Sequence, residues 1–272
     1  MMRSLWTGAS GMIAQQTNVD TIANNLSNVN TSGYKSEKTE FKSLLYQTLQ
    51  TKTTSANGEE KPISAQVGLG TRVASNTSIF TQGSLIANES KSAFAIEGNG
   101  LFSVRGADGE TYYTRNGNFS WVKDGNVVSL CTQEGYHVLD SNGNVISLPA
   151  NVPSESVEFQ SNSGEIGYKD GAGNYHALNQ RIGIYQFRNP AGLEKESNSL
   201  LSVTEASGDA MSEYTNNNLT RSKIVQGYLE GSNVQLADEM VNLIVAQRAY
   251  EMNSKVITTS DDMLGIANQL KR

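Results

Sequence analysis

A single cysteine, Cys131, excludes an intramolecular disulfide framework and any all-cysteine metal site. It reads as a small apolar strand residue, not a nucleophile. The two histidines, His137 and His176, give no His-x-x-x-His or mixed Cys/His spacing of the kind that holds zinc. No serine, Ser222 included, sits in a G-x-S-x-G elbow. Gly98-Asn99-Gly100 lacks the third glycine and the following helix of a phosphate loop, so it reads as a turn. Asp and Glu fall mostly in turn-like stretches or near the C-terminus, without a visible catalytic pairing. The chain is therefore expected to be no enzyme, with no catalytic, cofactor-binding or metal-binding residues and no cofactor. A secreted β-rich hydrolase stays as the remote alternative, because carboxylates paired across long sequence distances are invisible at this level.

Charge is also scarce. Charged residues make up 18% of the 272 positions, below the usual quarter. The formal net charge of −6 and a pI near 5.1, with no basic aromatic-laced stripe, argue against nucleic acid as a partner. No apolar run reaches about eighteen residues, so no transmembrane helix and no direct membrane insertion are expected. The N-terminal stretch lacks a continuous apolar core and a small-residue cleavage site, which predicts no cleaved signal peptide. What is plentiful is glycine, at 25 residues, together with Asn, Ser and Thr. With Val, Ile, Leu and aromatics recurring throughout, that mixture suits turn-rich β structure and large protein contacts, not disorder.

Helical periodicity is confined to the two ends. Leu5, Ala9, Met12, Gln16, Val19, Ala23 and Leu26 follow the four-three spacing of a helix packed along a partner, and Ile13, Ile22 and Val29 widen the stripe. Between Met1 and Tyr34 the only charged side chains are Arg3 and Asp20. A solvated amphipathic helix normally carries charge on its outer face. A surface of Gln, Asn, Thr and Ser implies contact with protein on several sides. At the other end Leu236, Met240, Leu243, Gln247, Tyr250, Ser254, Ile257, Asp261 and Leu264 keep the same spacing, with Ser232 and Gln235 placed as a capping box. A helix over 234–269 would be roughly 50 Å long and would need a long partner. The expected assembly interface comprises Leu5, Met12, Val19, Asn24, Asn25, Leu26, Leu236, Met240, Leu243, Gln247, Tyr250, Ile257 and Leu264.

Between the ends the pattern changes. A short amphipathic stretch is expected around Phe41, Leu44, Leu45 and Leu49. Thr51 to Glu60 has the composition of a flexible segment, and Val67 to Ile79 reads as extended. From Phe94 onward, turn signals recur every eight to twelve residues: Gly98-Asn99-Gly100, Ala107-Asp108-Gly109, Asn116-Gly117-Asn118, Asp124-Gly125-Asn126 and Asn142-Gly143-Asn144. The short strands between them indicate antiparallel β structure, a sandwich or an open barrel. Leu200 to Thr204 is a candidate last strand. The fold class is α+β: long N- and C-terminal helices form a coiled-coil-like helical domain, and an antiparallel β-rich domain is inserted between them. The boundaries expected are 1–45 with 225–272 for the helical assembly domain, 46–75 for an extended linker, and 76–224 for the β-rich outer domain.

Asn24-Asn25-Leu26-Ser27-Asn28-Val29-Asn30-Thr31-Ser32-Gly33-Tyr34-Lys35 resembles the N-terminal signature of bacterial flagellar rod and hook proteins. Gly231-Ser232-Asn233-Val234, Met240-Val241-Asn242 and Gln247-Arg248-Ala249-Tyr250-Glu251 resemble that family's C-terminal signature. Its central motifs are matched by Ile96-Glu97-Gly98-Asn99-Gly100-Leu101-Phe102, by Tyr113-Thr114-Arg115-Asn116-Gly117-Asn118-Phe119 and by Phe187-Arg188-Asn189-Pro190-Ala191-Gly192-Leu193. The resemblance covers nearly the whole chain, in order. Met2-Arg3-Ser4-Leu5-Trp6 and the overall length look most like the distal-rod branch, with proximal rod or hook paralogues as alternatives.

The resemblance implies a structural axial subunit of the flagellar basal body, exported unprocessed by the flagellar export apparatus. It would polymerise with itself into a helical tube that transmits torque from motor to hook, meeting other rod and hook subunits and basal-body ring proteins. In that family the terminal helices form the inner coiled-coil layer, and a segment corresponding to 46–75 helps set tube stiffness.

Overall fold

A computed structural model describes residues 2–50, 65–125, 127–149, 152–153, 156–160, 164–170, 174–216 and 218–270. The expected flexible segment at Thr51 to Glu60 lies outside the described residues. The fold is α+β, with two α-helices and many antiparallel strands among the described residues, and it divides into two compact units. The first comprises Met1–Ser27, Glu37–Ser78 and Gln235–Arg272; the second comprises Asn28–Ser36 and Ile79–Val234.

In the first unit, α1 (Met2–Ser27) and α2 (Leu236–Gln269) run antiparallel. Ser4 Oγ lies 3.1 Å from Ser260 Oγ near one end of the pair, and Asn25 Nδ2 donates to Glu239 Oε1 at 3.2 Å near the other. At 34 residues α2 is roughly 51 Å long, matching the expected length. Its start differs from the expected capping box. Gln235 is the N-cap and makes no side-chain cap, while Ser232 Oγ accepts from Val234 N at 3.3 Å, outside the helix. Asp238 and Glu239 in the first turn supply the negative charge that favours a helix N-terminus.

The stretch around Phe41 to Leu49 is strand, not helix. β1 (Glu37–Ser43) and β2 (Tyr46–Gln50) are followed by β3 (Ala65–Gly68) and β4 (Thr71–Ser78). β1 pairs antiparallel with β4 and β2 with β3. A four-residue apolar set at spacings three, one and four suits either period, and the ladders with β4 and β3 decide it. The described positions of the expected linker, 46–50 and 65–75, thus lie largely in paired strands, and Glu37–Ser78 clusters with the two helices. Asn25 fixes the geometry: its amide donates to Glu37 O at 2.8 Å and accepts from Glu37 N at 2.9 Å, as a neighbouring strand would. Thr39 Oγ1 adds a 3.0 Å bond to Thr21 Oγ1.

Among its described residues the second unit is built mainly of strands, with short 3-10 turns at Pro190–Gly192 and Ser197–Ser199. Its strands are β5 (Leu85–Ala87), β6 (Phe94–Glu97), β7 (Leu101–Arg105), β8 (Thr111–Thr114), β9 (Phe119–Asp124), β10 (Val127–Thr132), β11 (His137–Val138) and β12 (Ser147–Pro149). There follow β13 (Val157–Phe159), β14 (Glu165–Lys169), β15 (Tyr175–Arg181), β16 (Ile184–Gln186), β17 (Glu194–Lys195) and β18 (Leu200–Ser202). Past the strand expected to be last come β19 (Met211–Ser212), β20 (Lys223–Gln226) and β21 (Tyr228–Glu230). The main sheet runs β12-β10-β11-β7-β8-β18-β17, with β16 joined to β7, β19 to β16 and β9 to β10. β13, β14 and β15 form a separate meander.

β7 shows why this sheet is stable. Phe102 and Val104 enter a core with Phe94, Ile96, Phe119 and Ile184, whereas Leu101 on the opposite face joins Tyr113, Phe187 and Leu201. The period of two thus buries both faces of the strand. Edge-to-face contacts lock each side, at 5.1 Å for Phe102 with Phe119 and 4.9 Å for Tyr113 with Phe187. Gly98-Asn99-Gly100 is a turn but does not close a hairpin. β6 pairs with β20, and the turn carries the chain away to β7 in another sheet. The left-handed Gly98, at φ +134°, permits that change of direction.

Candidate assembly surface

The seam between α1 and α2 is built from small residues. Gly8, Gly11 and Ala14 are buried on α1, and Ala246 and Ser260 on α2. A Cβ at Gly8 would stand 3.0 Å from Ile257 and 3.4 Å from Asn253 O, so glycine is what allows the helices to approach so closely. This seam is displaced from the expected stripe. Among the stripe residues, Leu5, Met12, Val19, Leu26, Leu243, Ile257 and Leu264 are half-buried, while Asn24, Leu236, Met240, Gln247 and Tyr250 are exposed. Asn25 is buried and occupied by Glu37 and Glu239 within the chain, so its contact is intramolecular. Gln16, Val19, Gln247 and Tyr250 line an open groove of about 350 Å3.

α2 carries a second apolar stripe that sequence reasoning did not pick out. Val241, Val245, Met252, Val256, Met263, Ile266 and Leu270 continue at steps of three, four and seven, and every one is exposed, from 44% at Val256 to 83% at Leu270. The signal was present in the spacing but overlapped the other stripe. α1 adds Met2, Trp6 and Ile13, exposed at 69%, 75% and 67%. Helices apolar on one face are ordinary surface helices; helices apolar on two faces bury the second against something else.

In the second unit, buried charge holds the Asn28–Ser36 loop. Lys35, Arg115 and Glu230 are 6%, 5% and 1% exposed. Glu230 Oε1 accepts from Lys35 Nζ at 2.7 Å and Gly83 N at 2.8 Å, and Oε2 accepts from Arg115 Nε. Arg115 also donates to the carbonyls of Ile96 at 2.9 Å, Gly98 at 2.7 Å and Gly100. Burial pushes the Lys35 ammonium below its ordinary pKa; Glu230 opposes that shift and Arg115 adds to it. Asn233 ties the same region together, accepting from Ser36 N at 2.7 Å and donating to Ile79 O at 2.8 Å. The sequence reading did not point to this triad; Lys35 and Arg115 entered it only as members of longer motifs.

Gly33 is the tightest point of the loop. It is left-handed at φ +72°, its N–H donates to Glu230 O at 2.8 Å, and a Cβ would lie 2.7 Å from the Arg115 carbonyl carbon. Gly33→Ala should cost about 1–3 kcal/mol from backbone strain alone, read as a lowered urea midpoint at unchanged slope.

Among the described residues no group of three or more His, Cys, Asp and Glu is placed to hold a metal, and no helix is long and apolar enough to cross a membrane. Three family models match: "Flagella basal body rod protein" over residues 5–35, "Flagellar hook protein FlgE/F/G D1 domain" over 95–168, and "Flagellar basal body rod FlgEFG protein C-terminal" over 225–270. The flagellar basal-body rod protein FlgG of Borreliella burgdorferi is 44% identical over the full length of both chains. The chain belongs to the flagellar basal-body rod protein family. Relatives of the same name in Agrobacterium fabrum and Bacillus subtilis are 41% and 37% identical, each over at least 98% of both chains. The Bacillus subtilis hook-basal body complex protein FlhP is 30% identical over both full lengths. Membership makes this rod-family chain a structural component of the flagellum and not an enzyme. Each matched segment also contributes one member of the buried triad: Lys35 from the first, Arg115 from the second, Glu230 from the third.

Proposed function

We propose that this rod-family chain is the distal-rod subunit of the basal body, polymerising into a helical tube that transmits torque from motor to hook. The observation that carries this reading is the bare apolar stripe on α2, which lies away from the small-residue seam with α1. Laying Val245, Met252, Val256 and Met263 against helices of other copies removes apolar surface from water at about 25 cal/mol per Å2. The near absence of charge on α1 lets that helix be covered without desolvating ions. In the tube the terminal helices of neighbouring copies would pack in coiled-coil fashion, with Leu236, Met240, Gln247 and Tyr250 at the contacts. The identities of 37% to 44% to rod proteins favour a rod position over a hook position. Passage through the flagellar export apparatus and contact with ring proteins follow from that position.

The test is assembly. The purified chain should form rigid, pelletable rods in negative-stain micrographs as its concentration is raised. A chain lacking residues 1–27 should remain in the supernatant with its β circular dichroism retained. Tubes formed by the truncated chain would remove the helices from the mechanism.

A further inference from the structure

Each terminal helix carries a second heptad alternation, and the two alternations fit each other. Asn242, Ala249 and Thr259 fill the gaps in the exposed stripe of α2, so three-four spacing runs unbroken from 242 to 270 without a charged residue. On α1, Met2, Trp6, Ala9, Ile13, Gln16 and Asp20 keep the same kind of spacing. They lie on the side of that helix away from Gly8, Gly11 and Ala14, which are buried in the seam with α2. The pairing inside the subunit therefore leaves both alternations largely uncovered.

Two such alternations interlock only at steps of seven residues. Run antiparallel, as α1 and α2 run within the subunit, they overlap well in three registers. Setting Asp20 opposite Asp238 brings two carboxylates together and leaves Met263, Ile266 and Leu270 bare. Setting Asp20 opposite Val245 still leaves Ile266 and Leu270 bare. Setting Asp20 opposite Met252 puts Trp6 on Ile266 and Met2 on Leu270, so four strongly exposed apolar residues cover one another. Charge selects the same register. Asp20, one of only two charged residues on α1, then falls between Arg248 and Lys255, each about one turn from Met252. The 2.8 Å pair of Arg248 with Glu251 is exposed on both sides and competes weakly.

We propose that the outer stripe of α2 is covered by the outer stripe of α1 from a second copy, antiparallel and in this third register. The inference rests on the assembly reading above and names the surface that meets the bare stripe. Within the subunit Ser4 lies beside Ser260, so the register offsets neighbouring copies by about two turns of helix, roughly 12 Å. Contact between unlike surfaces leaves each copy one stripe to offer and one to receive. With an axial offset, such a series continues as a helix and does not close into a flat ring.

The test is disulfide cross-linking in the pelleted polymer, because a disulfide forms only between closely opposed positions. Chains carrying Ile13→Cys would be mixed with chains carrying Thr259→Cys, polymerised, and oxidised with oxygen and copper-phenanthroline. These sites are exposed, so each variant should melt like the wild type, and native Cys131 is buried. A covalent dimer should appear in the mixture and be absent from either variant alone. Ala9→Cys mixed with Met263→Cys should give the same result one turn away. Dimers of Ile13→Cys with Met252→Cys in place of Thr259→Cys would overturn the register and its offset. Dimers within a single variant would mean that like stripes pair, which overturns the proposal. Pelleted polymer without any dimer refutes the pairing of α1 with α2 and leaves the assembly reading standing. A wild-type chain that never polymerises removes both.

Discussion

Glu230→Gln should destabilise the β-rich unit by about 3–5 kcal/mol, the range for leaving buried charge without its counter-ion. Glu230 is 1% exposed, and it is the carboxylate that accepts from Lys35 Nζ, Arg115 Nε and Gly83 N together. Glutamine keeps the shape and one acceptor oxygen but leaves two cations facing each other in a dry site. The loss should appear as a lower urea midpoint with an unchanged slope. Lys35→Met is the informative contrast. It leaves Glu230 paired with Arg115 and replaces a desolvated ammonium by an apolar side chain, so it should cost no more than about 1–2 kcal/mol.

The sign of the pH dependence follows from Lys35. Its folded-state pKa lies below the usual lysine value, so between the two the unfolded chain binds more protons and stability rises with pH. Without Glu230, which opposes that depression, the folded value falls further and the window widens downward. The deficit of Glu230→Gln should therefore shrink as the solution is made alkaline. A deficit below about 1 kcal/mol at neutral pH, or one that grows with alkalinity, would show that the triad is not a desolvated charge cluster.

How far the sequence reveals all this depends on distance along the chain. Both terminal helices were legible because their patterns persist over 26 and 34 residues. Turns such as Gly109, Gly125 and Gly143 were legible because a left-handed glycine marks each one. The seam between the helices was not. Gly8, Gly11 and Ala14 count for nothing in an apolar stripe, yet close approach is what they supply. β1 and β2 were misread because Phe41, Leu44, Leu45 and Leu49 are too few to fix a period, and β4 and β3 supply the deciding partners. The triad was invisible for a related reason. Lys35 and Glu230 are 195 positions apart, and no local rule links charges at that separation. Family motifs found all three neighbourhoods without showing that they meet.

The second large effect should come from the outer stripe of α2. Val245 and Met252 are 62% and 65% exposed, and substituting both with aspartate in the single chain should change its stability by no more than about 0.5 kcal/mol each. In a polymer that covers the stripe, each copy would lose the burial of two apolar side chains, about 1.5–3 kcal/mol apiece, and would also have to desolvate two carboxylates. Polymer should therefore be absent at concentrations more than roughly a hundredfold above the wild-type threshold, by sedimentation and by negative stain. Ala246→Asp provides the opposite signature. Ala246 is 2% exposed in the seam, so a carboxylate there should separate α1 from α2 in the monomer, visible as lost hydrogen-exchange protection in both helices. One turn of helix thus separates a change that spoils the subunit from a change that spoils only the tube. If Val245→Asp with Met252→Asp polymerises like the wild type, the exposed stripe is not an assembly surface, and the half-buried residues Leu5, Met12, Val19, Leu243 and Ile257 would have to carry the contact instead.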